Sequence, residues 1–320
     1  MHAIIVGKDK SLSWAKVPEP CVRENEILVE VHATALNRAD LLQREGKYPP
    51  PPGWPEWMGL EVAGKVIQAP ENCRWKTGDE VCALLGGGGY AERVAVPADM
   101  ALPVPKGLSM LEAAAIPEAF ATSYLNLCVE GGMKAGDTVF IQAGASGLGM
   151  AAIQLAKTMG AKVITSVGSE DKVQFVRQLG ADVIINRKVQ EIASVLAKHP
   201  VDIAMDCVAG SQLGPCLKTM ARGGRWIVIA SLGGTQGEID MGDFFRRGIK
   251  LIGSTLRSRS SEMKAEILAG LEKQLWPSFS SGKIKVLIHR TLPITSAEEA
   301  HSILQHQENL GKVVLTINKG

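Results

Sequence analysis

The residues of clearest chemical use are three glycines in the run Ala143-Gly-Ala-Ser-Gly-Leu-Gly149. An apolar segment, 138–142, precedes them, and a segment with apolar residues at helical spacing, 147–159, follows at once. Strand, tight turn and helix in that order make a cradle for a dinucleotide pyrophosphate. Gly144, Gly147 and Gly149 stand where the turn must be sharp, the backbone must approach the phosphates and the helix must pack on its sheet. The helix start around Leu148 offers unpaired N–H groups and a partial positive charge to the anion. Ser146 replaces the middle glycine of the G-x-G-x-x-G pattern. Its hydroxyl either turns toward the cofactor or belongs to a small residue tolerated there. A plain structural turn is the competing reading of the whole run.

The next strand-like segment, 162–167, ends in a second cue. Folds that prefer NAD place an acid there to grip the ribose hydroxyls. Here the chain reads Thr165-Ser-Val-Gly-Ser-Glu-Asp-Lys172, and Gly168 and Ser169 leave room for a 2′-phosphate. Glu170 and Asp171 suit the first turn of the following helix, where its dipole favours acids. The expected cofactor is NADPH.

These residues need elements to hold them. From 134 to about 255, short apolar segments (138–142, 162–167, 182–185, 202–206, 225–230, 250–253) alternate with helical ones (147–159, 172–179, 189–198). That alternation predicts an α/β fold with a doubly wound parallel sheet of six strands, a Rossmann domain. The first ~120 residues differ: segments 27–32, 61–68, 80–82 and 91–96 are separated by Pro and Gly turns, which predicts a mostly antiparallel β domain. A short helix is expected at 38–45, with Asn37 as its cap and Asp40 as cap partner or surface acid. The tail, 283–317, reads as strand, helix (296–306) and strand, and is expected to return to the first domain. The expected division is 1–120, 121–260 and 261–320.

Composition narrows the class. A chain of 320 residues with 35 Lys and Arg against 33 Asp and Glu has no electrostatic reason to take nucleic acid as its main partner. No run of about 18 apolar residues exists, so no membrane span is expected. Six dispersed cysteines without a C-x-x-C, and six scattered histidines, suit reduced thiols in the cytoplasm and give no metal-site spacing.

The local words resemble the medium-chain dehydrogenase/reductase superfamily. Gly59-Leu-Glu-Val-Ala-Gly64 matches its G-x-E-x-x-G, and Ala113-Ala-Ala-Ile-Pro-Glu-Ala-Phe-Ala-Thr122 its domain junction. The stretch from Ala35 to Gly53 resembles the active-site segment of the NADPH:quinone oxidoreductases. Gly253-Ser-Thr-Leu-Arg-Ser-Arg259 and Asn309-Leu-Gly-Lys-Val-Val-Leu315 resemble the tumour-suppressor-inducible subgroup. The resemblance implies a GroES-like catalytic domain beside the Rossmann domain, and a homodimer. It implies no zinc, because Asn37 and Leu60 stand where the zinc branch has a cysteine and a histidine.

It also implies roles. Tyr48, on a proline loop, either donates to the substrate oxygen or stacks on the substrate. Asn37 bonds substrate or nicotinamide, caps its helix, or does both. Ser146 is grouped with them at the reacting end. Thr122, Leu232 and Leu256 fall where the family contacts the nicotinamide. Lys172 matches a phosphate-binding lysine of the subgroup, and Arg187 stands where a guanidinium would pair with the 2′-phosphate. The implied activity is reduction of quinones by NADPH without metal. Reduction of enones or enoyl thioesters, or dinucleotide binding without turnover, are the alternatives.

Overall fold

The computed structural model describes residues 1–317. The chain forms two compact units, one made of Met1–Ala121 together with Arg257 onward, the other of Thr122–Leu256.

The first unit opens with an antiparallel pair, β1 (His2–Val6) and β2 (Leu12–Lys16). Next comes β3 (Glu26–Ala35), a longer strand than the six residues expected. Its Ile27, Val29, Val31 and Ala33 are buried in strict alternation, the period-2 signature of a half-buried strand. Helix α1 (Arg38–Arg44) follows, then β4 (Glu61–Gln68), β5 (Glu80–Leu84), β6 (Arg93–Pro97) and β7 (Ala101–Pro103). Two helices close the segment. In α2 (Met110–Ala113) the Glu112 carboxylate bonds the Ser109 amide, and the Ser109 hydroxyl accepts from the Glu112 amide. The boundary between units falls within α3 (Pro117–Tyr124).

The second unit alternates strand and helix: β8 (Thr138–Ile141), α4 (Gly147–Thr158), β9 (Lys162–Val167), α5 (Glu170–Gln178), β10 (Val183–Asn186), α6 (Ile192–Leu196), β11 (Val201–Asp206), α7 (Leu213–Leu217), β12 (Met220–Val228), α8 (Met241–Arg247) and β13 (Lys250–Gly253). The six strands run parallel in the order β10-β9-β8-β11-β12-β13. The order reverses beside β8, the switch point where such sheets bind ligands. Val139, Phe140 and Ile141 of β8 are all fully buried, as a strand covered on both faces must be. The Asp206 carboxylate at the end of β11 is equally buried. It accepts from Gln142 Nε2, Trp226 Nε1 and the amides of Val208 and Ala209 at 2.7–2.9 Å. Four donors hold that charge without a cation.

Two helices differ from expectation. The one expected at 189–198 is only Ile192–Leu196. Ahead of it the Asn186 carbonyl accepts from the amides of Val189 and Gln190, while Gln190 Oε1 accepts from the Asn186 amide. Such local bonds compete with a helical start. The helix expected from 172 begins at Glu170, directly after Ser169.

The chain then returns to the first unit with α9 (Ser261–Ser280), β14 (Ile288–Pro293), α10 (Ala297–Gln305) and β15 (Lys312–Thr316). Helix α9 was not among the expected elements, although its buried Ile267, Leu268, Leu271, Leu275 and Phe279 recur at helical spacing. β15 pairs antiparallel with β3 and parallel with β14, completing a seven-stranded sheet in the order β14-β15-β3-β4-β5-β7, with β6 also on β3. Among the described residues no helix is long and apolar enough to cross a membrane.

Candidate active site and cofactor-binding turn

In the first unit, α1 begins at Asn37, whose amide donates to Asp40 Oδ2 at 2.7 Å. Asp40 is therefore the cap partner, and it is buried, not a surface acid. Its carboxylate also accepts from the Gly59 amide and the Tyr90 hydroxyl, both at 3.2 Å. Burial outweighs these donors and pushes its pKa up to about 6.

The Asn37 side chain closes the expected capping box with Asp40 and is engaged further. Its Nδ2 donates to Glu61 Oε1 at 2.9 Å and to the Ala35 carbonyl at 3.3 Å. Its Oδ1 accepts from Lys312 Nζ at 2.9 Å. Lys312, from β15, also donates to Glu61 Oε1 at 2.6 Å and to the Leu36 carbonyl at 2.8 Å. Glu61, from β4, uses Oε2 to accept the Glu118 amide at 2.9 Å. Lys312 and Glu61 are almost wholly buried, so removing either partner would strand a charge, at about 3–5 kcal/mol.

Tyr48 follows α1 and is half-buried. Among the described residues its hydroxyl has no hydrogen-bond partner. The Arg257 guanidinium lies 4.8 Å from its ring centroid and donates through Nη1 to its carbonyl at 3.0 Å. Burial raises the phenol pKa, the charge of Glu118 raises it further, and Arg257 opposes both. Trp57, in the same loop, is tied by Nε1 to the Gly88 carbonyl at 3.1 Å.

In the second unit, the glycine run is the turn between β8 and α4. A Cβ at Gly144 would lie 2.1 Å from Thr165 Oγ1, and one at Gly149 would lie 2.4 Å from the Ala143 carbonyl. These two glycines therefore serve the fold's own close packing. Ser146 is the N-cap of α4: its Oγ accepts from the Gly149 amide at 3.0 Å and donates to the Ala143 carbonyl at 2.8 Å. That bond turns the hydroxyl into the helix end. The amides of Gly147 and Leu148 meet no acceptor among the described residues. Two unpaired donors on a twelve-residue helix fit a pyrophosphate.

Gly168 follows β9, and a Cβ there would lie 2.9 Å from Arg187 Nη2. Glycine thus lets the exposed Arg187 guanidinium settle over the strand end. Lys172, in the first turn of α5, is held below its ordinary pKa by burial first, with Arg187 and Lys188 adding and Asp171 opposing. Ser169 bonds the Asp171 carboxylate and holds that acid at the helix start. Gly168, Lys172 and Arg187 are therefore one basic corner, suited to a phosphate. The Thr122 carbonyl accepts from Asn126 Nδ2 at 2.7 Å, Leu232 is largely exposed after β12, and Leu256 is buried after β13.

Sequence reasoning gave no role to Glu61, Arg257 or Lys312. Each was legible as a charge inside a quoted motif, at 59–64, 253–259 and 309–315. What it does depends on partners far along the chain. Among the described residues no group of three or more His, Cys, Asp or Glu side chains is placed to hold a metal ion.

Comparison with known proteins fits this geometry. Residues 23–106 match the pattern of the alcohol dehydrogenase GroES-like domain, and residues 147–272 that of the zinc-binding dehydrogenases. Quinone oxidoreductase of Sus scrofa is 29% identical over 93% of this chain and 91% of its own. The quinone oxidoreductase of Thermus thermophilus, solved also in complex with NADPH, is 31% identical, covers 99% of this chain and all of its own, and has a TM-score of 0.81. A solved NAD-dependent alcohol dehydrogenase is 30% identical with a TM-score of 0.86, covering 99% of this chain and all of its own. With its antiparallel first unit, its parallel second unit and these likenesses along its length, the chain belongs to the quinone oxidoreductase family of the medium-chain dehydrogenase/reductases.

Proposed function

We propose that this chain is a metal-independent NADPH:quinone oxidoreductase. The observation that carries the reading is the Tyr48 phenol: half-buried, without a hydrogen-bond partner among the described residues, and backed by a guanidinium. NADPH, when bound, supplies the hydride; quinone, NADPH and one proton give hydroquinone and NADP⁺. The chain's own residues bind, orient and stabilise charge. The amides of Gly147 and Leu148 receive the pyrophosphate at the turn that Gly144, Ser146 and Gly149 close. Gly168 and Ser169 leave space for the 2′-phosphate, and Lys172 and Arg187 neutralise it. Thr122, Leu232 and Leu256 border the nicotinamide. Tyr48 donates to the oxygen that gains charge, and Asn37, fixed by Lys312 and Glu61, sets the start of α1, the helix ahead of Tyr48. The working form is a homodimer. Six free cysteines suit the reducing cytoplasm.

The test is stopped-flow oxidation of NADPH with an ortho-quinone, beside a 2-enal, an enoyl thioester and a secondary alcohol with NAD, each run with and without chelator. Fast loss of nicotinamide absorbance with the quinone, unchanged by chelator and slower with NADH, is expected. Preference for an enone moves the assignment to an enone reductase. Cofactor bound with no acceptor-dependent oxidation makes the chain a dinucleotide-binding protein. Activity restored by added zinc removes the metal-independent reading.

A further inference from the structure

Arg257 is a buried cation without a carboxylate partner among the described residues. Its Nε and Nη2 donate to the Gly86 carbonyl at 2.9 and 2.7 Å, Nη2 also to Gln43 Oε1 at 2.7 Å, and Nη1 to the Tyr48 carbonyl at 3.0 Å. Every acceptor is neutral. Burying a cation is costly, so its charge calls for a use that a neutral amide would not serve. Of the groups that feel it, Tyr48 comes first, ahead of the carboxylates of Asp40 and Glu118, and its ring lies 4.8 Å from the guanidinium carbon. A cation at a ring face draws on its π density, which makes the phenol O–H a stronger donor.

The contact is built to persist. Gln43 Nε2 donates to the Glu56 carbonyl at 2.7 Å, so the side chain that orients Arg257 also anchors the loop carrying Tyr48. Trp54 of that loop lies so close to Gly86 that a Cβ there would be 2.6 Å from its ring. Two further charges bear on the pair. Lys264 is buried, and its Nζ donates to the Arg257 carbonyl at 2.8 Å. Glu118 acts against Arg257 at the phenol.

We propose that Arg257 is a positioning residue that polarises the Tyr48 phenol and makes it the hydrogen-bond donor to the substrate oxygen that turns anionic as hydride arrives. The inference rests on the quinone oxidoreductase reading. Hydride brings two electrons to the quinone, and the proton that completes the hydroquinone comes from water. Tyr48 keeps its own proton.

Ultraviolet titration of tyrosinate tests the coupling without turnover. Subtracting the Tyr48→Phe spectrum isolates this phenol from Tyr90 and Tyr124. Arg257→Met should move its ionisation upward by about one pH unit, Arg257→Lys by less, and Glu118→Gln in the opposite direction. In turnover, Arg257→Met should lower kcat about tenfold with little change in KM, and by less than about twofold in a Tyr48→Phe background. Arg257→Lys, which keeps a cation beside the ring, keeps the test decisive if Arg257→Met does not fold. A phenol titration unmoved by these substitutions overturns the proposal, as does an equal kcat loss in both backgrounds. A titration that moves as expected in a protein that reduces no quinone overturns the reaction instead.

Discussion

Lys172 and Arg187 offer the plainest experiment on single residues. A 2′-phosphate is what distinguishes NADPH from NADH, and these two cations, with Lys188 beside them, form the basic corner after Gly168. Replacing both by alanine should raise KM for NADPH roughly tenfold or more, because charge-assisted hydrogen bonds contribute about 1.5–3 kcal/mol each. KM for NADH should hardly change. Steady-state kinetics with both cofactors decides it, and a wild-type enzyme indifferent between them sinks the assignment. This corner was legible from sequence because strand end, glycine and helix start lie within a few residues of one another. The Asn37 site was only half legible. Its bond to Asp40 spans three residues and follows capping rules, whereas its bond to Lys312 spans 275 residues and follows none.

At the scale of elements, α1, α10 and the segment before β6 meet in a buried polar cluster. The Tyr90 hydroxyl donates to Asp40 at 3.2 Å and lies 3.5 Å from His301 Nε2. His301 Nδ1 is buried without a partner among the described residues. Burial lowers the His301 pKa to about 3, with Arg44 adding to the effect. A base whose folded pKa is depressed contributes stability above its unfolded pKa of about 6.5 and loses it as pH falls toward 3. Asp40, raised to about 6 from an ordinary value of 3.8, works in the opposite sense between those two values. The difference in stability between wild type and His301→Leu removes what the two share. It should fall by about 1.4 kcal/mol per pH unit as pH drops from about 6 to about 4. Thermal melts across that range check this, and parallel curves would refute it. The strand–helix alternation of the second unit was readable because each element carries its own period. The shortened α6 was not, since turn bonds at Asn186 and Gln190 displace its start, whereas the acids Glu170 and Asp171 did mark the first turn of α5.

For the whole molecule, the exposed edge of the parallel sheet matters most. β13 is its terminal strand, with Leu251 38% exposed, and α8 just before it leaves Met241 and Phe245 61% and 70% exposed. A bare apolar edge invites pairing, and a two-fold axis beside it would join two sheets. Sedimentation at micromolar concentration should therefore give twice the 34.1 kDa chain mass. Replacing Leu251 and Phe245 together by charged residues should return it to the monomer value. A wild-type monomer would end the homodimer proposal.

The pairing of β15 with β3 has a consequence for how the molecule comes into being. Residues 122–256 are contiguous and have all their strand partners once they emerge from the ribosome. The opening 121 residues do not, because the last pairing of β3 and the ammonium for Glu61 arrive only with Lys312–Thr316. At about 5–20 residues per second, that leaves them waiting on the order of 10–40 s with an unpaired strand and an uncompensated carboxylate. The middle of the protein thus matures before its beginning, and nascent chains stalled ahead of β15 should be the ones that chaperones hold.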